Sequence, residues 1–248
     1  MDYEKRRILI CAEGERTDVK LLEHLLTVFQ IDVRYEIIPY CTNIYVLYNA
    51  MFADGHPEDM DFLQVLKEHE PCPETKALFD EKYSDILLVF DMDPQDPLFT
   101  PESLQQITAY FNESTDMGQL YINYPMVESF YHMSSIPDPC FEGRYATLEE
   151  LKAKGYKARV NHENRNHDYS KFAVTRNECI TVINQNLEKA RALSLAATDK
   201  ILPSPAQEIV LAEQLKILDS HRAVSVLCTC AFFVADYDVK LLNNDDGA

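Results

Sequence analysis

Three acidic residues follow two apolar runs of this sequence, and their types and spacing could hold a metal ion. Glu13 comes after the run Arg7–Ala12, and Asp91 and Asp93 come after the run Asp85–Phe90. Side chains alternate along an extended backbone with a period of two, so we expect Asp91 and Asp93 to point to the same side. Two carboxylates held on one side repel each other unless a cation lies between them. Oxygen-only ligands of this kind suit Mg²⁺ or Mn²⁺ rather than zinc.

Alternating strands and helices over residues 7–133 would bring these carboxylates together. The sequence predicts strands over 7–12, 33–39, 85–90 and 119–123, and helices over 18–30, 43–52, 61–70 and 101–111. The apolar run before Asp91 is typical of a strand covered on both faces of a parallel sheet. The pattern predicts an α/β fold with a doubly wound, mainly parallel sheet flanked by helices. Ligands of such folds bind at the carboxyl ends of the strands.

The sequence changes character beyond about residue 136. Helices are predicted over 147–157, 172–194 and 206–235, with 224–234 ambiguous between helix and strand, and 195–206 is predicted as a connection. We therefore expect an α/β domain over residues 1–135 and a mostly helical extension over 136–248 packed on it, which could contact nucleic acid or a partner. Residues 243–248 are predicted to form a frayed tail.

The motifs around the carboxylates resemble those of the TOPRIM fold, which is shared by topoisomerases, primases, small ribosomal-RNA maturases and nucleases of the overcoming-lysogenization type. The family's Glu-Gly after the first strand corresponds to Glu13-Gly14, and its D-x-D after a later strand corresponds to Asp91-Met92-Asp93. A third segment, residues 123–132 (NYPMVESFYH), is similar to the N-P-x-x-E-x-W/F segment of stand-alone TOPRIM-like proteins in bacterial defence operons. The resemblance covers residues 7–133, about half the chain.

The resemblance implies a divalent-metal-dependent nuclease that hydrolyses phosphodiesters in DNA or structured RNA. Asp91 and Asp93 would then hold Mg²⁺ or Mn²⁺, and Glu13 would act as a general acid or base or as a further ligand. Glu128, in the third segment, would complete the four carboxylates that a two-metal site needs. A site with one metal ion is the alternative. The resemblance also implies an ABC-type ATPase as partner in a bacterial anti-phage defence system.

Other polar residues near the motifs have simpler interpretations. Glu15 and Asp18 are interpreted as charges favoured at a helix N-terminus rather than as ligands. Asp96 could extend the acidic site, but a solvated turn residue is the favoured interpretation. His162 and His167 are interpreted as solvated loop residues, because their spacing fits one helix face poorly.

The chain carries 23 Lys and Arg against 41 Asp and Glu, a formal net charge of −18, so most of its surface repels nucleic-acid phosphates. One stretch, residues 144–176, has eight Lys and Arg against four acids, interleaved with aromatic residues. It predicts a surface that contacts a nucleic-acid backbone, and an ordinary solvated helix face is the alternative. The candidate contacts are Lys154, Lys157, Arg159, Arg165 and Lys171.

Composition argues against several other classes of protein. The six glycines are at least 12 residues apart, so the chain contains neither a Walker A loop nor a G-x-G-x-x-G turn. Seven dispersed cysteines without a C-x-x-C favour reduced thiols and a cytoplasmic protein. The first apolar run is too short for a signal peptide, and the longest, residues 223–235, is too short to span a membrane.

Two other functions compete with the nuclease. A non-catalytic TOPRIM-like module could sense or scaffold without cutting, and the acidic surface favours it slightly. A phosphotransferase with an Asp nucleophile, of the haloacid-dehalogenase type, also uses a D-x-D motif, but usually near the first strand rather than at residue 91. The acidic surface would also suit docking to a basic partner. Formation of a homodimer is a further possibility.

Overall fold

The computed structural model describes residues 7–31, 34–114, 118–194 and 204–243. The first half consists, in chain order, of β1 (Arg7–Ala12), α1 (Thr17–Val28), β2 (Arg34–Pro39), α2 (Ile44–Phe52), α3 (Phe62–His69), α4 (Pro73–Leu78), β3 (Asp85–Asp91), α5 (Pro101–Tyr110), β4 (Asn112–Glu113) and β5 (Gly118–Asn123). The strands and helices predicted for this half are present with closely similar bounds. The sequence pattern missed the short α4 and the two-residue β4.

Five strands form one sheet in the order β2-β1-β3-β5-β4. β2, β1, β3 and β5 are parallel, and β4 pairs antiparallel with β5 at one edge. All residues from Ile8 to Ala12 and from Ile86 to Asp91 are buried. This burial confirms the prediction that the unbroken apolar runs are central strands covered on both faces, and the fold is of the α/β class.

The strand order reverses direction between β1 and β3. β2 lies on one side of β1, and the chain then crosses to β3 on the other side. Because crossovers between parallel strands are right-handed, this reversal places α1 on one face of the sheet and α2 and α5 on the opposite face. Consistently, α2 and α5 contact each other. The crevice between the carboxyl ends of β1 and β3 is the position where such sheets bind ligands.

Capping explains where two of the helices begin. Thr100 Oγ1 accepts a hydrogen bond from Ser103 N at 3.1 Å, and Pro101 occupies the first turn of α5. Asn43 caps α2 in the same way, with its Oδ1 accepting from Val46 N at 3.0 Å. No described side chain caps the start of α1, and burial of its apolar face stabilises this helix instead. The leucines of that face are Leu21, Leu22, Leu25 and Leu26.

The second half is built from shorter elements. In chain order these are β6 (Tyr145–Thr147), α6 (Leu148–Lys152), α7 (Tyr156–Glu163), α8 (Arg176–Ser194), α9 (Gln207–His221), β7 (Ala223–Ser225) and α10 (Phe233–Tyr237). Short 3-10 helices include Val127–Tyr131, Tyr169–Lys171 and Cys230–Phe232. β6 and β7 pair antiparallel in a separate two-stranded sheet.

The helix predicted over 206–235 was wrong beyond residue 221. α9 ends because Arg222 adopts a left-handed backbone with φ of 50°, and the chain then enters β7. Val224 and Val226 are β-branched and buried, which suits an extended segment better than a helix. The ambiguous stretch is therefore strand first and short helix afterwards.

Two other predicted helices of the second half differ in their bounds. The helix predicted over 147–157 is interrupted between α6 and α7, where Lys154 has a left-handed φ of 57°. The helix predicted from residue 172 begins at Arg176. Both differences lie at helix ends, which local patterns locate poorly because tertiary contacts decide them.

One hydrophobic core connects the two halves of the chain. Leu227 exchanges two backbone hydrogen bonds of 2.8 Å with Tyr124, and Thr229 Oγ1 donates to Ile122 O at 2.8 Å. The stretch after β7 therefore packs directly along the end of β5. Predictions for Val33, for most of the connection 195–206 and for nearly all of the C-terminal tail lie outside the described residues.

Candidate metal centre

Three carboxylates meet at the carboxyl edge of the sheet. Glu13 follows β1, Asp91 ends β3 and Asp93 lies two residues further along, and one oxygen of each lies within 4.8 Å of the other two. The residues that the sequence pattern singled out are therefore neighbours. In the part of the chain that the structure describes, no other group of three His, Cys, Asp or Glu side chains has this geometry.

Hydrogen bonds orient Glu13 and Asp91. Asp91 N donates to Glu13 Oε2 at 3.0 Å, which joins the end of β3 to the side chain that follows β1. Asp91 Oδ1 accepts from Val127 N at 2.8 Å and from Asn123 Nδ2 at 3.4 Å. The second oxygen of each carboxylate has no hydrogen-bond donor among the described residues. These second oxygens are therefore free for a ligand.

Asp93 reaches the cluster through a turn. β3 ends at Asp91, and Asp93 has a left-handed backbone with φ of 39°, which Asp tolerates better than most residues. Asp93 N donates to Pro125 O at 3.2 Å, and Gln95 Nε2 donates to Asp93 Oδ1 at 2.9 Å. The two aspartates converge, as the sequence predicted, and the left-handed backbone occurs at Asp93 itself, two residues after the end of β3.

Burial and mutual repulsion raise the pKa values of this cluster. Burial, followed by the charges of Asp93 and Asp18, raises the pKa of Glu13 to about 8. Burial, and then the charge of Glu13, holds the pKa of Asp91 well above its ordinary range. Burial also raises the pKa of Asp93. Without a cation the cluster therefore binds protons near neutral pH, and a cation would displace them.

Glu128 lies beside the three carboxylates and outside their group. It belongs to the 3-10 helix Val127–Tyr131, its side chain is 4% exposed, and its Oε1 lies 2.9 Å from Lys157 Nζ. Its Oε2 is buried without a hydrogen-bond partner among the described residues. The charge of Lys157 lowers the pKa values of Glu13 and Asp93, so this lysine faces the acidic cluster. A role of Glu128 as a metal ligand stays a prediction.

Asp18 is a further acidic side chain at this site, although its sequence position suggested only a helix end. It lies in the first turn of α1, as predicted, but it is buried and its Oδ1 has no hydrogen-bond partner in the described ranges. Burial and the charge of Glu128 raise its pKa to about 6. A Cβ atom at Gly14 would lie 2.4 Å from Asp18 Oδ2. The Glu-Gly-x-x-x-Asp spacing was the signal that could have identified Asp18.

Most of the basic residues predicted to contact nucleic acid are paired with carboxylates. The pairs are Lys157–Glu128, Arg159–Glu150, Arg165–Glu178 and Lys171–Asp168, with N···O distances between 2.7 and 3.1 Å. Lys154 is exposed and forms no ion pair with a described residue. The pairs reduce the positive charge that this stretch offers to phosphate, and its contact with nucleic acid stays a prediction.

Asn123 connects the cluster to the second half of the chain. It is fully buried, its Nδ2 donates to Asp91 Oδ1, and its Oδ1 accepts from Cys230 N at 3.2 Å. Cys230 lies 107 positions further along the chain, so no local pattern indicated this contact. The position of Asp91 therefore depends on the packing of the C-terminal stretch.

The donor set fits a hard divalent cation. Glu13, Asp91 and Asp93 offer carboxylate oxygens, which Mg²⁺ and Mn²⁺ prefer. Two further oxygens, Asp18 Oδ1 and Glu128 Oε2, are buried without a donor in the described part of the chain. Buried polar atoms without a partner are costly, and a nearby cation would compensate for that cost.

Comparisons with protein-family models, curated proteins and solved structures found no match for this chain. No helix within the described ranges is long and apolar enough to cross a membrane. The chemistry assigned to this protein therefore depends on the carboxylate cluster and on the fold that positions it.

Proposed function

We propose that this protein is a TOPRIM-like, divalent-metal-dependent nuclease that hydrolyses phosphodiester bonds in nucleic acid. The observation that carries the proposal is the convergence of Glu13, Asp91 and Asp93 at the point where the strand order reverses. The order of the motifs, Glu-Gly after the first strand and D-x-D after β3, matches the TOPRIM pattern that the sequence resembles. Convergence of the side chains adds a geometric argument to that resemblance.

Asp91 and Asp93 would hold Mg²⁺ or Mn²⁺, with Glu13 as the third ligand or as the group that moves a proton. A cation bound there supplies charge neutralisation and Lewis-acid activation of the scissile phosphodiester. The hydrogen bonds from Val127 N and Asn123 Nδ2 hold Asp91 in one orientation. Such preorganisation keeps the ligand oxygens in place during the reaction.

Glu13 is the residue best suited to transfer a proton. Burial and neighbouring acids raise its pKa to about 8 in the metal-free protein, and a cation bound beside it would lower that pKa, so that Glu13 is ionised and able to accept a proton. The hydrogen bond from Asp91 N holds Oε2 in place. Oε1, which accepts no hydrogen bond from a described residue, is the atom at which Glu13 would give or take the proton.

Lys157 supplies positive charge next to the carboxylates. Its Nζ lies 2.9 Å from Glu128 Oε1, yet its side chain is 62% exposed and accessible to a substrate. A lysine in this position can contact a phosphate oxygen while its partner carboxylate stays buried. This supports a role for Lys157 in holding the substrate backbone at the metal site.

The proposal includes a partner protein. The resemblance to stand-alone TOPRIM-like proteins of defence operons supports an ABC-type ATPase as the partner and an anti-phage role. The net charge of −18 would suit docking on a basic surface. Such a partner could keep the nuclease inactive until an infection triggers it.

Cleavage of plasmid DNA and of total transfer RNA by the purified full chain tests the proposal. The assay compares Mg²⁺, Mn²⁺ and EDTA, with and without the candidate ABC-type ATPase. Glu13→Gln and Asp91→Asn should abolish metal-dependent cutting. Glu15→Gln is the matched control, because Glu15 is exposed and lies two residues from Glu13.

Undiminished cutting by Asp91→Asn would refute the assigned site. Binding of Mn²⁺ without cutting in any of these mixtures would instead favour the non-catalytic module. Cutting that persists in EDTA would contradict the dependence on a metal.

A further inference from the structure

A cleft of about 720 Å³ opens beside the acidic cluster, between the first turns of α1 and residues 167–172. Its volume is that of an ordinary ligand site. Thr17, which lines it, is the neighbour of the buried Asp18, and Tyr131, which also lines it, lies in the same 3-10 helix as Glu128. Two elements that line the cleft, α1 and this 3-10 helix, therefore also carry acidic residues of the neighbouring site.

One wall of the cleft is positively charged. Arg16, Lys20 and His24 all line it, and their spacing of four residues places them along one face of α1. Arg16 and Lys20 are exposed, and neither forms an ion pair with a residue in the described ranges. In a chain with a net charge of −18, these two adjacent cations without acidic partners are a local concentration of positive charge, which attracts phosphate.

The opposite wall is aromatic and polar. Tyr131 and Tyr169 line the cleft and stack on each other, with ring centroids 4.2 Å apart and an interplanar angle of 10°. The hydroxyl group of Tyr169 is buried and has no hydrogen-bond partner among the described residues. Asp168 also lines this wall, but Lys171 pairs with it at 3.1 Å. Its charge therefore opposes phosphate binding only weakly.

α7 extends this wall to the acidic cluster. Lys157 contacts Glu128 beside the carboxylates, and Asn161, one helical turn further along, lines the cleft. A strand whose scissile phosphate lies at Asp91 and Lys157 can therefore continue past Asn161 into the cleft. Cations along one wall and stacked aromatic rings on the other are the combination that binds single-stranded nucleic acid.

We propose that this cleft binds the nucleotides next to the scissile phosphate and selects single-stranded or looped nucleic acid. Arg16 and Lys20 contact backbone phosphates, and the ring of Tyr169, which stacks over the buried Tyr131, stacks with an unpaired base, which a duplex does not offer. The inference rests on the proposed nuclease function, since it names the substrate class of that same site. It applies to single-stranded DNA and RNA, which share this chemistry.

Binding of fluorescently labelled 12-nucleotide single strands, measured by anisotropy in EDTA, tests the proposal without cleavage. Arg16→Glu/Lys20→Glu should weaken binding at least tenfold and reduce the slope of log K against log salt by about 1.4, the value for two phosphate contacts on a single strand. The control is Lys76→Glu/Lys82→Glu, which changes the net charge equally. Those lysines lie in and after α4, before the amino end of β3, away from the cleft.

A second pair of probes tests the aromatic wall. Tyr169→Leu should weaken binding about fivefold or more, because it removes a ring on which a base can stack. A 12-mer with abasic sites should bind the wild type as weakly as the ordinary 12-mer binds Tyr169→Leu. DNA and RNA strands are measured separately, and a duplex of the same sequence should bind wild type and Tyr169→Leu alike.

Equal losses in the cleft variant and in the charge-matched control would overturn the proposal, as would a wild type that does not bind the single strands. Equal affinity for duplex and single strand would contradict the proposed preference of the cleft for single-stranded nucleic acid. Metal-dependent cleavage measured separately keeps the two proposals distinct. Unchanged binding and cleavage by the Arg16→Glu/Lys20→Glu variant would refute only the proposal that the cleft binds the strand. Strand binding without any cleavage would refute only the proposal that the protein is a nuclease.

Discussion

Asp91 N donates a hydrogen bond of 3.0 Å to Glu13 Oε2, across 78 positions of sequence. The same two strands are paired in register just before it, with Ala12 opposite Val89 and Glu13 N donating to Val89 O at 2.9 Å. A shift of one residue between β1 and β3 would turn these side chains to opposite faces of the sheet. The pairing of the central strands therefore sets the geometry of the site.

The metal-free protein should lose stability as the pH rises. The pKa of Glu13 is raised from 4.5 to about 8, so between these values the folded state binds more protons than the unfolded state. The free energy of unfolding then falls with rising pH, by at most about 1.4 kcal/mol per pH unit for each such proton. Thermal unfolding in EDTA over this range measures the effect.

Glu13→Gln is the control for this pH dependence, because its amide does not titrate. The variant should show a flatter dependence of Tm on pH than the wild type. Added Mn²⁺ should raise the Tm of the wild type most at the alkaline end, since the ion binds the deprotonated native state. An equally steep loss of stability in Glu13→Gln would contradict the assignment of the raised pKa.

Asp91→Asn should stabilise the metal-free protein and abolish the stabilisation by Mn²⁺. The amide keeps an oxygen that can accept from Val127 N, and it removes the free-energy cost of burying this carboxyl group, which the charge of Glu13 increases. A gain of about 1 kcal/mol corresponds to a Tm increase of roughly 2–4 °C for a chain of this size. Differential scanning fluorimetry with Mn²⁺ and with EDTA measures both effects.

Asp59→Asn provides the matched control for Asp91→Asn, because Asp59 is exposed and lies in the short 3-10 helix Pro57–Asp59. It should leave both the Tm in EDTA and the shift with Mn²⁺ unchanged. A full Mn²⁺ shift in Asp91→Asn would show that the ion binds elsewhere.

Gly14→Ala should disturb the site through Asp18. Its Cβ would lie 2.4 Å from Asp18 Oδ2, well inside contact distance, so the buried carboxylate must move. We expect a loss of about 1–3 kcal/mol in the free energy of unfolding, as for other overpacked positions, and reduced metal-dependent cleavage. Urea unfolding measures the first effect, and the cleavage assay measures the second.

Gly143→Ala is the control for this change, because its nearest contact for an added Cβ is Cys140 O at 3.9 Å. In the background of Asp18→Ala, the destabilisation caused by Gly14→Ala should shrink, since the clashing carboxylate is absent. A loss of the same size in both backgrounds would mean that Gly14 is required for another reason.

Lys157→Met and Lys154→Met should differ in their effects on the pH dependence of cleavage, although the sequence predicts that both lysines contact nucleic acid. Lys157 faces the carboxylates and its charge lowers the pKa of Glu13, so its removal should shift the pH profile of cleavage to higher pH and lower kcat/KM. Lys154 is exposed at the turn before α7. Its removal should leave the pH profile unchanged and reduce the slope of log K against log salt by about 0.7, the value for one phosphate contact on a single strand.

Cleavage by both variants over a range of pH and salt concentration measures this difference. Lys157→Arg should retain the pH profile, because it keeps the positive charge beside Glu128. Identical profiles for Lys157→Met and Lys154→Met would contradict the position of Lys157 at the reacting site.

The first half of the fold was predictable because its central strands are buried on both faces. Such strands appear as unbroken apolar runs, and the helices between them carry caps such as Thr100 and Asn43. The second half was less predictable. β7 is three residues long and lies in an apolar stretch that suits a helix equally well, and a single left-handed residue, Arg222, separates it from α9.

By itself, the sequence determined which residue types stand at the ends of the strands, and therefore that carboxylates collect at one edge of the sheet. Only the tertiary structure decided how these carboxylates are grouped and paired. It groups Glu13 with Asp91 and Asp93, pairs Glu128 with Lys157, and folds Asp18 back against Gly14. The physical reason is that strand order, burial and ion pairing depend on contacts between residues distant in sequence, which no local pattern of residue types contains.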